Sequence, residues 1–299
     1  MNLELILTTA GEHLDEGVKP GSKGHLDIAV YNYTKAIELE LDHPVAYGSR
    51  GYAFNLLGRF DEAVADLTKA IELDSDYSVA YINRGHAFNL LGRLDEAVAD
   101  LTKAIELDSD HPVAYINRGA AFNLLGRFDE AVADLTKAIE LDSDHPAAYN
   151  NRGNSFNLLG RFDEAVADLT KAIELEPDHP VAYNNRGNSF NLLGRFDEAV
   201  ADLTKAIELE PDHPAAYNNR GNSYRLNGNN EAAINDYNKT LEIFDKNSDP
   251  KIDDYKWAIR AERGLKSLGV GITESIEMRA LQSGVVTSQQ LTQFYQHEK

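Results

Sequence analysis

The chain has 299 residues, 42% of them hydrophobic, and no apolar run approaches the ~18 residues that a membrane-spanning helix needs. Its 49 acidic and 29 basic residues give a formal net charge of −20, which disfavours nucleic acid and anionic membrane surfaces as partners, because both must be neutralised by Lys and Arg. There is no cysteine, so disulfides and cysteine-ligated metals are excluded. Since the N-terminal segment also lacks the basic start of a signal peptide, we expect a cytoplasmic protein.

The first predicted element is a helix from residue 2 to about residue 18, in which apolar residues recur at helical spacing from Leu3 to Leu14. A segment rich in Gly and Pro follows at residues 19–24. The chain then enters the register of a repeat. We therefore predict that residues 1–43 form an N-terminal capping helix and a degenerate first repeat, with an insertion between its helices.

One sequence unit recurs with a fixed period of 34 residues. Its tyrosine marks the same point in six copies, at Tyr47, Tyr81, Tyr115, Tyr149, Tyr183 and Tyr217. A fixed period of this size is typical of a repeat array, whose core grows along one axis. We predict five regular repeats over residues 44–213 and an eroded last repeat over residues 214–247, as expected for an array that ends in capping units.

One copy, residues 78–111, predicts two helices, Val79–Leu91 and Leu94–Leu107, joined by a short break at Gly92-Arg93. The acidic turn that follows, ahead of Pro112, predicts an acidic N-cap for the next helix. Two antiparallel helices cannot bury their own apolar faces. Neighbouring pairs must therefore stack.

The order aromatic, Gly, aromatic, Gly, Ala, Ala, Pro within each copy resembles the tetratricopeptide repeat family. In one copy these positions are Tyr149, Gly153, Phe156, Gly160, Ala165, Ala172 and Pro177. The resemblance covers roughly residues 24–245. It departs from the family pattern at Arg152, where Leu is common, and where Ser replaces a frequent Pro, at Ser75, Ser109 and Ser143. It implies an all-α, right-handed superhelical solenoid of antiparallel helix pairs, in which the first helix of each pair lines a concave groove that binds partner peptides.

An arginine and an aspartate recur beside the predicted apolar faces of the two helices. We predict that they form structural ion pairs, within one helix pair or between neighbours, because the guanidinium fork can meet a carboxylate with two hydrogen bonds. The predicted pairs are Arg84 with Asp100, Arg118 with Asp134, Arg152 with Asp168, and Arg186 with Asp202, and the pattern continues at Arg50/Asp66 and Arg220/Asp236. The alternative is that these arginines bind an acidic ligand.

The face opposite the buried stripe of each first helix carries polar residues, with Ile82 at its edge and Leu90 and its copies beside them. We predict that it forms a peptide-binding groove through an asparagine column, Asn83, Asn117, Asn151, Asn185 and Asn219, and variable neighbours, Tyr52, His86, Asn154, Asn188 and Asn222. One acceptor and two donors on each Asn match a peptide group. The column is similar to the asparagine ladder in the repeats of O-GlcNAc transferase. The alternative is duplication drift, in which recent copies share residues without use.

No arrangement of residues indicates catalysis, and we predict that the protein is not an enzyme and needs no cofactor. A histidine recurs once per repeat, at His111, His145, His179 and His213. Equivalent atoms of packed helix pairs lie at least ~10 Å apart, several times a metal–nitrogen bond, so we predict no metal site.

After Pro250 the repeat register is lost. Helical spacing predicts helices over residues 252–268 and 273–282, and a capping box at Thr287–Gln290 predicts a last helix that ends at Tyr295. We predict that residues 248–299 form a C-terminal helical cap. The alternative is a separate binding domain.

These features together predict a non-catalytic scaffold, a monomer in the favoured case, that binds an extended peptide segment of another protein in its groove. Two alternatives stay open: self-assembly through the terminal repeats, and an adaptor or effector whose C-terminal tail carries a separate activity. A clamp for the carboxylate of a chaperone tail is disfavoured, because the groove face of the second to sixth copies carries no Lys.

Overall fold

The computed structural model describes residues 3–17, 23–39, 43–248, 250–271, 275–287 and 290. Every regular element among these residues is an α-helix. In chain order the helices are α1 (Leu3–Gly17), α2 (Lys23–Leu39), α3 (Pro44–Leu56), α4 (Phe60–Leu73), α5 (Ser78–Leu90), α6 (Leu94–Leu107), α7 (Pro112–Leu124), α8 (Phe128–Leu141), α9 (Pro146–Leu158), α10 (Phe162–Leu175), α11 (Pro180–Leu192), α12 (Phe196–Leu209), α13 (Pro214–Leu226), α14 (Asn230–Lys246), α15 (Ile252–Ser267) and α16 (Ile276–Ser283).

The chain divides into two compact units, an N-terminal unit of residues 1–155 and a C-terminal unit of residues 156–299. In the N-terminal unit, α1 packs on α2, α3 on α4, α5 on α6 and α7 on α8, and each second helix also contacts the first helix of the following pair. The first helices contact each other as well, α3 with α5 and α5 with α7. The predicted stacking of helix pairs is therefore confirmed within this unit.

Glycine allows the two helices of a pair to approach closely. A Cβ atom added at Gly85 of α5 would lie 2.6 Å from Cγ of Leu101 on α6, which is fully buried. Ala97 and Ala104 of α6 are also fully buried. Small residues thus form the contact, and the large side chain of Leu101 fills the space beside it.

The C-terminal unit continues the same packing from α10 to α14 and then changes. Helix α15 contacts both α13 and α14, and α16 packs on α15. The fully buried ring of Tyr237 fits against Gly221 and Gly264, where a side chain would collide with it. Glu262, only 1% exposed, accepts a hydrogen bond from the backbone N–H of Ile276 at 2.7 Å, which anchors the start of α16. Helices α15 and α16 therefore pack on the last repeat.

The turns follow the repeat. Gly92, with φ of 72°, ends the turn after α5 in a left-handed conformation that a glycine adopts without strain. The predicted acidic N-cap was wrong, because the N-cap of α7 is His111. Histidine is also the N-cap of α3, α11 and α13. His43 and His179 accept hydrogen bonds through Nδ1 from the backbone N–H groups of Ala46 and Ala182, at 3.2 and 3.3 Å. Asp108, in the turn before His111, accepts a hydrogen bond from the backbone N–H of Asp110 at 3.2 Å instead.

The predicted fold class is confirmed as an all-α array of consecutive helix pairs. Helix α6 has the predicted bounds, while α16 begins at Ile276, later than the predicted residue 273. Thr287 and Gln290 form the predicted reciprocal hydrogen bonds, at 2.8 and 3.2 Å. The rest of the predicted helix to Tyr295 lies outside the described residues. None of the described helices combines the length and the apolar character needed to cross a membrane.

Candidate functional site

The first helices expose a face that mixes apolar and amide side chains, here named the first-helix face. On α5, Val79 and Leu90 are 41% and 52% exposed, while Asn83 and His86 between them are half-buried. The leucine column remains exposed in the neighbouring helices, as at Leu124, which is 65% exposed. This face can therefore offer both hydrogen bonds and apolar contact to a partner.

In the N-terminal unit, the asparagine column occupies half-buried positions at Asn83, Asn117 and Asn151, with Tyr52, His86 and Asn154 beside it. Asn117 forms a hydrogen bond with the side chain of His86. Burial lowers the pKa of His86, and this hydrogen bond opposes the shift. Within the described part of the chain, the side-chain amides of Asn83, Asn151 and Asn154 are not hydrogen-bonded to other residues.

In the C-terminal unit, part of the column is used internally. Asn185 and Asn188 are half-buried, but Asn219 is only 7% exposed, and its amide donates to Asn184 Oδ1 at 3.1 Å. Asn222 Oδ1 accepts a hydrogen bond from the hydroxyl of Tyr237 at 2.7 Å. The expectation that Asn219 faces solvent was therefore wrong, because α15 packs on α13 beside this position. The buried amide is hydrogen-bonded to Asn184 instead.

The expectation that Ile82 lies at the edge of the groove was also wrong. Ile82 is 3% exposed and packs with Ala114 and Ala121 of α7. It precedes Asn83, and one step along the helix turns its side chain by ~100°, away from the exposed face and toward the next pair. The N-terminal and C-terminal copies thus differ at a core position, where isoleucine gives way to buried asparagines, Asn150, Asn184 and Asn218.

A second asparagine column, which the sequence reasoning missed, joins successive first helices. Its side-chain amides donate to the backbone carbonyls of the first asparagine column in the following repeat. The pairs are Asn55 to Asn83 at 2.8 Å, Asn89 to Asn117 at 2.8 Å, Asn123 to Asn151 at 3.3 Å, Asn157 to Asn185 at 3.4 Å and Asn191 to Asn219 at 3.1 Å. The same period of 34 residues was the available signal.

Serine completes these links in part of the array. The hydroxyl of Ser155 lies 2.8 Å from Asn123 Oδ1 and 2.9 Å from the carbonyl of Asn151. The position of Ser155 is occupied by alanine in earlier repeats. In those repeats the Oδ1 atom of the linking asparagine, as at Asn55, is buried and has no hydrogen-bond partner in the described part of the chain. Successive first helices are therefore joined by asparagine hydrogen bonds throughout, but only some of these asparagines have both their donor and their acceptor paired.

The recurrent arginines and aspartates are brought together. Arg84 donates through Nε and Nη2 to the two carboxylate oxygens of Asp100, at 2.6 and 2.8 Å. Its Nη1 donates to Thr68 Oγ1 of the preceding pair at 2.9 Å, a link that the sequence reasoning missed. The same three bonds form at Arg50, Arg118, Arg186 and Arg220.

These arginines point inward and not toward a ligand. The side chains of Arg84 and Asp100 are 15% and 10% exposed. Arg152 donates to Thr136 Oγ1 at 3.0 Å in the same manner, and Asp168 is 8% exposed on α10. The geometry favours the structural interpretation, in which each guanidinium joins its own helix pair to the preceding one.

Two family profiles match the sequence. The tetratricopeptide repeat profile matches residues 44–77, 112–145, 146–179, 180–213 and 214–247, which is more than half of the chain, and a second profile of the same repeat matches residues 85–126. The chain belongs to the tetratricopeptide repeat family. Tetratricopeptide repeats are generally a non-enzymatic fold for protein interaction, so the chain is of a protein-binding class. No curated protein matches the sequence significantly.

Solved structures are similar to this tetratricopeptide repeat chain in fold. The APC/C hetero-tetramer Cut9–Hcn1 has 18% identity and a TM-score of 0.71 over 89% of this chain and 52% of the other. A tetratricopeptide repeat protein from Parabacteroides merdae has 19% identity and a TM-score of 0.64 over 87% and 98%. YrrB, described as having an unusual peptide-binding site, has 27% identity and a TM-score of 0.49 over 62% and 95%.

Proposed function

We propose that this protein is a non-catalytic scaffold that binds an extended peptide segment of another protein along its first-helix face. The observation that carries the proposal is the row of half-buried asparagine amides in the N-terminal unit. The side-chain amides of Asn83 and Asn151 have no hydrogen-bond partner in the described residues, and exposed leucines lie beside them. An amide at the edge of a groove, held by its own helix, can bind a peptide group at little cost in side-chain order.

The spacing of the first helices suits an extended ligand. Packed helices lie ~8–10 Å apart, and an extended peptide advances ~3.3 Å per residue. A bound strand therefore meets an asparagine about every third residue. Such contacts address the peptide backbone, so the affinity should depend little on the ligand's side chains, and exposed leucines such as Leu124 add apolar contact.

The test uses peptides of about 12 residues selected from a random display library with the full chain as bait, a length that spans ~40 Å when extended. The variant combines Asn83→Ala with Asn151→Ala. The control combines Lys103→Ala with Lys137→Ala, two exposed lysines on the second helices α6 and α8. Since each hydrogen bond contributes ~1 kcal/mol, we expect the asparagine variant to bind at least ~10-fold more weakly by fluorescence anisotropy, and the control to bind as the wild type does.

The peptide itself supplies a second readout. N-methylation of one backbone amide removes a donor without changing a side chain. It should weaken binding about as much as the loss of one asparagine, while alanine substitution in the peptide should have a smaller effect. If the asparagine variant keeps its circular dichroism spectrum and binds the selected peptides with unchanged affinity, the proposal is wrong.

A further inference from the structure

The C-terminal unit contains a cavity of about 440 Å³ between α11, α13 and α15. Three arginines line it, Arg225 of α13 and Arg260 and Arg263 of α15. The other lining residues that the structure describes are Asn, Leu, Gly and Ser, so the lining carries positive charge and no carboxylate. Glu277, which is not one of the lining residues, lies 3.5 Å from Arg263 and offsets part of its charge. The lining residues themselves have the opposite sign of charge to the chain as a whole, whose net charge is −20.

The arginines of the cavity have different neighbours from the recurrent arginines of the repeats. Arg186, like its copies, is held within 2.8 Å of both oxygens of a buried aspartate. Arg263 instead lies 3.5 Å from Glu277, with 36% of its side chain exposed. The guanidinium of Arg260 lies 4.9 Å from the ring centroid of Trp257, a geometry that orients its plane.

Arg225 is a departure from the repeat pattern. It occupies the second asparagine column, where the preceding copy has Asn191, so a structural amide is replaced by a cation at the last repeat. The added helix α15 then brings Arg260 and Arg263 beside it. The cavity is thus built jointly by the end of the array and the C-terminal cap.

The rim of the cavity belongs to the first-helix face. Asn188 and Asn222 line the cavity together with Leu192 and Leu226, which are 51% and 50% exposed. A peptide bound on these residues would bring its next side chains to the arginines. Since guanidinium groups match the planar, two-oxygen geometry of carboxylates, the matching group is a carboxylate.

We propose that the cavity lined by Arg225, Arg260 and Arg263 binds the carboxylates of an acidic segment of the bound peptide and so fixes which end of the peptide lies there. This inference rests on the proposed function, because it places the acidic segment on a ligand that lies along the first-helix face. A short acidic segment meets only the cavity. A nucleic acid would continue onto a surface that carries excess negative charge.

The test measures the binding of a fluorescein-labelled Gly-Ser-Gly peptide that ends in four glutamates to the full chain. We expect binding that is at least ~10-fold weaker when glutamine replaces the glutamates, and that weakens as NaCl rises from ~50 to ~500 mM. Amidation of the C-terminus separates the sources of the carboxylate. Equal binding of the amidated peptide assigns the site to side chains alone, and weaker binding of the amidated peptide shows that the terminal carboxylate is bound as well.

The variants are Arg225→Gln and the pair Arg260→Gln with Arg263→Gln, which should each weaken binding of the glutamate peptide about tenfold or more. The control Arg195→Gln removes one positive charge, as Arg225→Gln does, but at an exposed site beside Glu198, and it should leave binding unchanged. Because Arg225 lies on α13, its variant tests the cavity without altering α15, and circular dichroism checks that both variants fold.

The outcomes separate the two proposals. If glutamate and glutamine peptides bind equally and the arginine variants bind as the wild type does, while the asparagine variant still loses the library peptides, the acidic site is refuted and the scaffold function stands. If neither set of variants loses binding, both proposals fail. If a labelled uridine 12-mer binds more tightly than the glutamate peptide and loses that binding in the arginine variants, the peptide assignment is overturned.

Discussion

Replacement of Arg118 by methionine should destabilise the array by disconnecting two helix pairs. Arg118 donates to Asp134 at 2.7 and 2.8 Å within its own pair and to Thr102 of the preceding pair at 3.0 Å. The side chains of Arg118 and Asp134 are 17% and 10% exposed. The hydrogen bond with Asp134 raises the pKa of the guanidinium, which burial opposes. Arg118→Met therefore leaves a mostly buried carboxylate without its cation.

The magnitude follows from this burial. Removing one partner of a buried ion pair costs ~3–5 kcal/mol, because the remaining charge is uncompensated. Removing both, by Arg118→Met with Asp134→Leu, loses the pair but also its desolvation cost, and should cost less than ~2 kcal/mol. The matched control is Arg127→Met, whose partner Glu130 is 52% exposed and whose own side chain is 43% exposed. Solvent-exposed pairs contribute ~0–1 kcal/mol, so this variant should unfold nearly as the wild type does.

The assay is urea unfolding followed by circular dichroism, with hydrogen exchange measured over residues 112–145. Local exchange is needed because repeat arrays unfold in segments and a single free energy of unfolding can mislead. We expect faster exchange in these residues for Arg118→Met and partial recovery in the double variant. If Arg118→Met and Arg127→Met unfold at the same urea concentration, or if the double variant is as unstable as the single one, the reasoning about the buried pair is refuted.

Two further predictions concern hydrogen bonds between first helices. Ala87→Ser should place a hydroxyl beside the unsatisfied Oδ1 of Asn55, as Ser155 does beside Oδ1 of Asn123. The added hydrogen bond should raise the free energy of unfolding, measured by urea titration, by ~0.5–1 kcal/mol. No gain would mean that the serine link adds nothing to stability. Because burial lowers the pKa of His86, the folded state binds fewer protons than the unfolded state, so stability is fully present above pH ~6.5 and declines as pH falls from there through the lowered pKa. His86→Asn, the residue that Asn154 supplies in a later copy, should remove that part of the decline, and identical pH profiles of melting temperature for the two proteins would contradict the assignment.

Local patterns were sufficient to predict the helices. The bounds of α6 match the prediction because its apolar spacing, its acidic first turn and the glycine that precedes it all lie within a short stretch of sequence. The arginine and aspartate columns could be identified in the same way, since the helical wheel places both beside apolar faces. The threonine link was missed because Thr68 and Arg84 belong to different repeats, and nothing local joins them.

The candidate site was predicted only in part. Recurrence identified the asparagine column, but the same recurrence was present in the column of Asn55, and the sequence contains no sign of which column hydrogen-bonds to the backbone. The arginine-lined cavity could not be foreseen, because Arg225 and Arg260 come together only when α15 packs on α13.

The sequence by itself determined the period, the helix pairs and the inward face of each pair, because these depend on spacing within a few turns of one helix. The tertiary structure decided what each copy does with the same residues. Asn185 and Asn219 lie in nearly identical segments, residues 182–192 and 216–226. Asn219 is nevertheless buried, while Asn185 is half-buried. The physical reason is that the environment of a repeat comes from its neighbours, and at the C-terminal end the neighbour is α15 and not another copy.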